Sequence, residues 1–134
     1  NSQKSHDLKE NPKAAMCFHW KSFNRQIRIL GSVTQVDDKE ADLYFNSRSY
    51  ESKISAWASD QSNFMKERSE LLKKIEDFKK KYKNEKDVPR PSHWSGWCLR
   101  PSSIEFWLHQ DNRIHERLRY NKTANDWKKE ILYP

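Results

Sequence analysis

Glycine is scarce in this 134-residue chain, where only Gly31 and Gly96 occur. Two isolated glycines build neither a glycine-rich phosphate loop nor a GxSxG nucleophile elbow, so any phosphate must be held by side chains. Cysteine is equally sparse. Cys17 and Cys98 are far apart and form no CxxC, a usage that fits reduced thiols in a cytosolic protein. The five histidines make no HxxxH or HExxH pair and do not cluster with the cysteines, so no metal site is expected. No apolar run approaches the roughly 18 residues that span a membrane. The opening NSQKSHDLKENPK holds no signal-peptide core. These absences lead to the expectation of a cytoplasmic protein without a membrane partner.

Charge and aromatic rings are abundant. Lys and Arg number 26 against 19 Asp and Glu, a formal charge of +7, and only 34% of residues are hydrophobic. That balance leans toward disorder, but six Trp, six Phe and five Tyr argue for a core. A polar domain that completes its core against a partner satisfies both observations. The positive charge raises a nucleic-acid reading, since basic patches with interleaved aromatics bind phosphates and stack bases. However, residues 66–87 hold nine basic against six acidic residues, the mixture of a solvated helix face. With no RNP-like, KH-like or zinc-finger spacing, no nucleic-acid partner is expected.

Patterning gives strands at both ends and helices between them. Ala14–Trp20 and Arg25–Val33 read as a strand pair joined by a short loop, with Gly31 as a bulge position. Asp37 followed by Glu40 marks a helix start. That helix would carry Ala41, Tyr44 and Phe45 on one side. A second start at Ser49 groups Ile54, Trp57 and Ala58. An apolar stripe of Phe64, Leu71, Leu72, Ile75, Phe78 and Tyr82 predicts a long amphipathic helix over 63–82. It ends before Val88-Pro89-Arg90-Pro91. Alternation then predicts strands at Trp97–Arg100, Ile104–Leu108, Ile114–Asn121 and Trp127–Leu132. The expected class is α+β.

Two clusters bear chemistry. In a strand, Arg113, His115 and Arg117 would share one face, with Trp107 at matching parity upstream. Three cationic-capable groups beside an indole suit a flat anionic ligand. A solvated sheet face with salt bridges accounts for the same pattern. On a continuous helix, Tyr44, Arg48 and Ser52 at i, i+4 and i+8 would offer a cation and two hydroxyls to a phosphate monoester. A core Tyr44 and a capping Ser52 are the plainer alternative. Gln61-Ser62 reads by itself as an ordinary loop.

The segment IEFWLHQDNRIHER (104–117) resembles the C-terminal signature of the pyridoxine/pyridoxamine 5′-phosphate oxidases. NRQIRILG (24–31), YFNSR (44–48), SKISAWASDQS (52–62), VPRPSHWSGW (88–97) and WKKEILYP (127–134) stand in that family's order and spacing. The resemblance implies a split β-barrel domain binding flavin mononucleotide (FMN) at a homodimer interface. Its flavin- and substrate-binding part would run over 1–87 and its C-terminal dimerisation and active-site strands over 88–134.

By the same resemblance, Ser2, Lys4, Gln26, Gln61, Ser62, Trp107 and Arg117 correspond to flavin contacts. Tyr44, Arg48 and Ser52 correspond to the residues that hold the substrate phosphate. Arg113 and His115 correspond to catalytic groups over the pyridine ring. The implied reaction oxidises pyridoxamine or pyridoxine 5′-phosphate to pyridoxal 5′-phosphate, with dioxygen as acceptor and hydrogen peroxide as product. Three positions depart from the family pattern. Gln3 replaces a usual Arg, Leu108 a usual Gln and Ser95 a usual Gly. The family's preceding strands, with their Arg-x-x-Leu-Leu-Lys motif, have no counterpart in these residues. Weak or no oxidase activity is therefore expected of residues 1–134 alone. A non-catalytic flavin- or pyridoxal-phosphate-binding module is the alternative.

Overall fold

The computed structural model describes residues 2–134, the side chain of Glu85 excepted. Its architecture is α+β, with one five-stranded sheet in the order β1-β2-β3-β4-β5 and antiparallel ladders between β1 and β2, β3 and β4, and β4 and β5. The chain forms two compact units that interleave along the sequence. One contains helix α1 and Gln35–Trp97, and the other contains Asn11–Thr34 and Cys98–Pro134.

In the sheet unit, β1 (Lys13–Trp20) and β2 (Arg25–Gln35) form the expected hairpin. Its connection is a 3-10 turn, Lys21–Phe23, closed by Asn24 in the left-handed conformation that Asn tolerates. Gly31 is not a bulge, because its pairing with Ala14 is in register. A Cβ there would lie 2.1 Å from the carbonyl oxygen of Arg100, so glycine is required by close strand approach. The two strands predicted on either side of Pro101 are one continuous strand, β3 (Trp97–Leu108). Strand β4 covers Glu116–Lys122 and β5 covers Trp127–Leu132, the latter as predicted. One row of apolar side chains on this sheet stays accessible: Met16, Phe18 and Trp20, which alternate along β1, are each about two-fifths exposed.

In the helical unit, α1 (Gln3–Glu10) forms where the sequence gave no apolar period, and it buries no residue. Helix α2 (Asp38–Asn46) starts as expected, with the Asp37 carboxylate accepting the Glu40 N–H at 2.7 Å. Helix α3 (Tyr50–Ala58) follows Ser49. Phe45, Ile54 and Val88 form the buried centre, against which Trp57, Ile75, Phe78, Tyr82 and Trp94 pack. Helix α4 is shorter than the stripe predicted, Arg68–Lys81. Phe64 lies outside it and is 94% exposed, so it belongs to the loop and not to the apolar stripe. Tyr82 terminates α4 and accepts the Tyr50 hydroxyl at its carbonyl.

Candidate functional site

The phosphate candidates do not lie on one helix. Residues 47–49 interrupt the helical run, so Tyr44 belongs to α2, Arg48 to the junction and Ser52 to the first turn of α3. Ser47 caps α2 through its N–H to the Leu43 carbonyl, while Ser49 takes extended dihedrals and begins α3. The i, i+4, i+8 argument therefore fails at the break, although two of its members still meet, through Trp94. The Arg48 guanidinium lies 5.2 Å from the Trp94 ring centroid, and the Tyr44 ring stacks on the same indole at 6.0 Å. A cation on an indole face is stabilised by about 1 kcal/mol. No carboxylate pairs with Arg48, and its Nη1 is the one buried side-chain nitrogen or oxygen without a partner among the described residues. The Ser49 hydroxyl donates to Ser52 Oγ at 3.0 Å, which leaves the Ser52 proton free to donate elsewhere. The α3 N-terminus adds unpaired N–H groups and partial positive charge at the same junction.

Behind this group, Arg90 spans three acceptors. It donates to Asp42 and Asp38 on α2 and to the Trp94 carbonyl at 2.7 Å. The Asp42 and Asp38 hydrogen bonds hold the Arg90 guanidinium above its ordinary pKa, so the clamp stays charged at every working pH.

In the sheet unit, Trp107 and Arg117 face each other across the β3–β4 ladder. Arg117 donates from Nε to Glu105 at 3.0 Å and from Nη1 to the Tyr133 carbonyl at 3.1 Å. Glu105 is also 3.9 Å from Arg28. Arg113 and His115 are not in the strand. Arg113 closes a 3-10 turn over Asp111–Arg113, and β4 begins only at Glu116, so strand parity does not place them. Asn112 (φ 55°) and Arg113 (φ 62°) are both left-handed, an uncommon state for non-glycine residues. His115 nevertheless reaches Trp107, with ring centroids 4.7 Å apart. Its Nδ1 accepts the Gln110 N–H at 3.2 Å, which puts the proton of the neutral ring on Nε2.

Gln26 and Trp107 line a hollow of about 600 Å³ walled by Trp20, Phe23, Ile27 and Phe106. A largely apolar, aromatic recess of this size, with two indoles, one amide and the charged Arg25 and Glu116 in its lining, suits a flat polar ring system. Gln61 and Ser62 are exposed in the loop after α3, Ser62 with a φ of 69°. That loop is tied to α4 by Lys74, whose hydrogen bond holds the Asp60 carboxyl below its usual range. Ser2 caps α1 by accepting the Ser5 N–H, and Lys4 is exposed one position beyond Gln3. Gln3 donates to Asp7 at 2.8 Å within the helix. Among the described residues, no group of three His, Cys, Asp or Glu side chains is arranged to hold a metal.

Two neighbours of the candidates escaped sequence reasoning. Trp94 sat unassigned in the proline-flanked segment, and its role needed the tertiary packing to show. His109 packs at a tilt against both Trp107 (5.9 Å) and His115 (5.1 Å), a contact made by the turn rather than by strand alternation.

Comparison with known proteins places the chain in a family. A family model described as pyridoxamine 5′-phosphate oxidase matches residues 1–82. The chain belongs to the pyridoxamine 5′-phosphate oxidase family. A second model, the pyridoxine 5′-phosphate oxidase C-terminal dimerisation region, matches residues 94–134. Among curated family members, the pyridoxine/pyridoxamine 5′-phosphate oxidase of Pelagibacter ubique is 61% identical over 100% of this chain and 65% of its own length. The enzyme of Sphingopyxis alaskensis is 46% identical over 100% of this chain and 62% of its own. The chain thus spans about two-thirds of the length of the relatives it matches. Among solved structures, PhzG from Burkholderia lata, in complex with tetrahydrophenazine-1-carboxylic acid, superposes with a TM-score of 0.91. It is 31% identical and is covered over 64% of its length, against 99% of this chain. A pyridoxamine 5′-phosphate oxidase-related, FMN-binding protein from Nostoc punctiforme shares the fold at a TM-score of 0.74 and 15% identity, covering 99% of this chain and 69% of its own. The fold is the family's split barrel. No helix among the described residues is long and apolar enough to cross a membrane.

Proposed function

We propose that this chain binds and orients a phosphorylated B6 vitamer for FMN-dependent oxidation to pyridoxal 5′-phosphate. The observation that carries this reading is Arg48, half-buried on Trp94, with no carboxylate partner among the described residues and an unsatisfied Nη1. A guanidinium so placed calls for an anion, and the Tyr44 and Ser52 hydroxyls complete a donor set suited to a phosphate monoester. Anchoring the phosphate fixes the remote end of the substrate, which confines its reacting carbon to a few orientations.

In the sheet unit, Arg113 and His115 would hold the pyridine ring, as the family resemblance implies. With Nδ1 committed to Gln110, His115 presents its Nε2–H as a donor to the ring substituents. Gln26, Gln61, Ser62, Trp107, Arg117, Ser2 and Lys4 would hold FMN, Trp107 and Gln26 from the aromatic hollow. When bound, FMN supplies the two-electron acceptor, which dioxygen regenerates with release of hydrogen peroxide. The amine substrate takes up one water and releases ammonia as its CH2–NH2 group becomes the aldehyde. The alcohol substrate loses two hydrogens only. The C-terminal dimerisation match supports a homodimer, and the cytoplasm is the proposed location.

Gln3 weakens the flavin-phosphate end, because its amide is spent on Asp7 and carries no charge. Turnover by residues 1–134 alone is accordingly expected to be slow, and binding is the sharper readout. Titration of FMN with the chain is expected to quench flavin fluorescence saturably, with Trp107→Leu shifting the midpoint about tenfold. Non-saturable quenching that Trp107→Leu leaves unchanged would overturn the flavin assignment.

A further inference from the structure

We infer that Trp94 is a positioning residue that presets the phosphate-binding donors, with Arg90 as the tie that fixes it. The inference rests on the phosphate reading of Tyr44, Arg48 and Ser52 proposed above. Among the described residues, Trp94 makes ring or cation contacts with both Tyr44 and Arg48. The guanidinium lies on its ring at 5.2 Å, Tyr44 stacks at 6.0 Å and 27°, and Phe45 meets it edge-on at 5.1 Å. Phe45 is fully buried, so the indole is anchored to the core on one side and presents ring surface to the donors on the other.

The choice of an indole has a chemical reason. A carboxylate would hold Arg48 equally well, but it would neutralise the charge and compete with an incoming phosphate. A π face attracts the guanidinium without consuming its N–H donors, which remain directed outward in the guanidinium plane. The helix break makes such support necessary. Arg48 sits between α2 and α3, where no i, i+4 neighbour holds its long side chain.

Arg90 performs two tasks. Its Nη1 holds the Trp94 carbonyl at 2.7 Å, while Nε and Nη2 occupy Asp42 and Asp38. The backbone carrying the indole is thereby fixed to α2, the helix that bears Tyr44. Asp42 and Asp38 are committed to Arg90, which removes two acids on α2 from competition for Arg48.

The test compares the affinity of the chain for pyridoxal 5′-phosphate and for pyridoxal by calorimetric titration. Trp94→Leu is expected to weaken pyridoxal 5′-phosphate binding about tenfold, with pyridoxal unchanged, and Trp94→Phe to restore it to within about threefold of the parent. Arg48→Ala serves as the control for the phosphate reading. If Arg48→Ala abolishes the phosphate preference and Trp94→Leu keeps it, the positioning role of Trp94 is overturned and the phosphate reading stands. If the parent shows no preference, or Arg48→Ala retains it, the phosphate reading falls and the inference falls with it. Should Trp94→Leu lose cooperative unfolding, Arg90→Lys decides. It keeps the charge but loses the three-way tie, and a selective loss for pyridoxal 5′-phosphate of about threefold is expected. An unchanged preference in Arg90→Lys overturns the inference.

Discussion

The carbonyl oxygen of Arg100 stands 2.1 Å from the point where a Cβ on Gly31 would lie. Both neighbours in that contact are backbone, and Pro101 follows Arg100 with its Cα only 3.0 Å from the same point, so nothing flexible can yield. Gly31→Ala is expected to destabilise the chain by about 3 kcal/mol, the upper range for overpacking. Urea unfolding checks it. A change below about 0.5 kcal/mol would show that β2 and β3 can separate without cost.

Glu130 collects Arg119, Asn121 and Lys128 on β4 and β5. The Arg119 hydrogen bond, then the one from Lys128, holds its carboxyl below the usual glutamate range. A carboxyl depressed by folding contributes stability that is present above its unfolded pKa and lost as pH falls through the folded one. The melting temperature of the parent should therefore drop more than that of Glu130→Gln on going from pH 6 to about pH 3. Parallel acid profiles for the two proteins would remove Glu130 from the account.

Arg113 adopts a φ of 62°, and its guanidinium forms no ion pair among the described residues. A non-glycine residue held left-handed stores strain that surrounding structure must offset, as at sites shaped for function. Arg113→Gly should raise stability by up to about 1 kcal/mol while weakening pyridoxal 5′-phosphate binding. Thermal denaturation and calorimetry read the two effects separately. Loss of both stability and binding would mean that Arg113 is a structural residue.

The Asp37 cap offers a simpler check. Asp37→Ala removes the acceptor of the Glu40 N–H and should cost about 1 kcal/mol. Because α2 carries Tyr44, affinity for pyridoxal 5′-phosphate should fall in the same variant if fraying reaches that residue.

Short-range chemistry was the most legible part of the sequence. Asp37, Ser49 and the β5 boundaries could be placed because caps and alternation act within a few residues. The failures share a cause. Phe64 fitted a helical stripe, yet α4 begins at Arg68, since a period does not say where a helix nucleates. Arg113 and His115 fitted a strand, yet a left-handed turn carries Arg113 and His115 lies outside β4. Tyr44 and Arg48 do share a neighbour, but Trp94 brings them together and helix spacing does not. Family resemblance supplied the residues to inspect, while their geometry came from contacts distant in sequence.

The account turns on whether the unpaired Arg48 reads a phosphate. Calorimetric titration of the parent chain with pyridoxal 5′-phosphate and with pyridoxal measures that directly. The account predicts a preference of at least about tenfold for the phosphorylated ligand, lost in Arg48→Ala. Equal affinity for the two ligands, or a preference that survives Arg48→Ala, would contradict it.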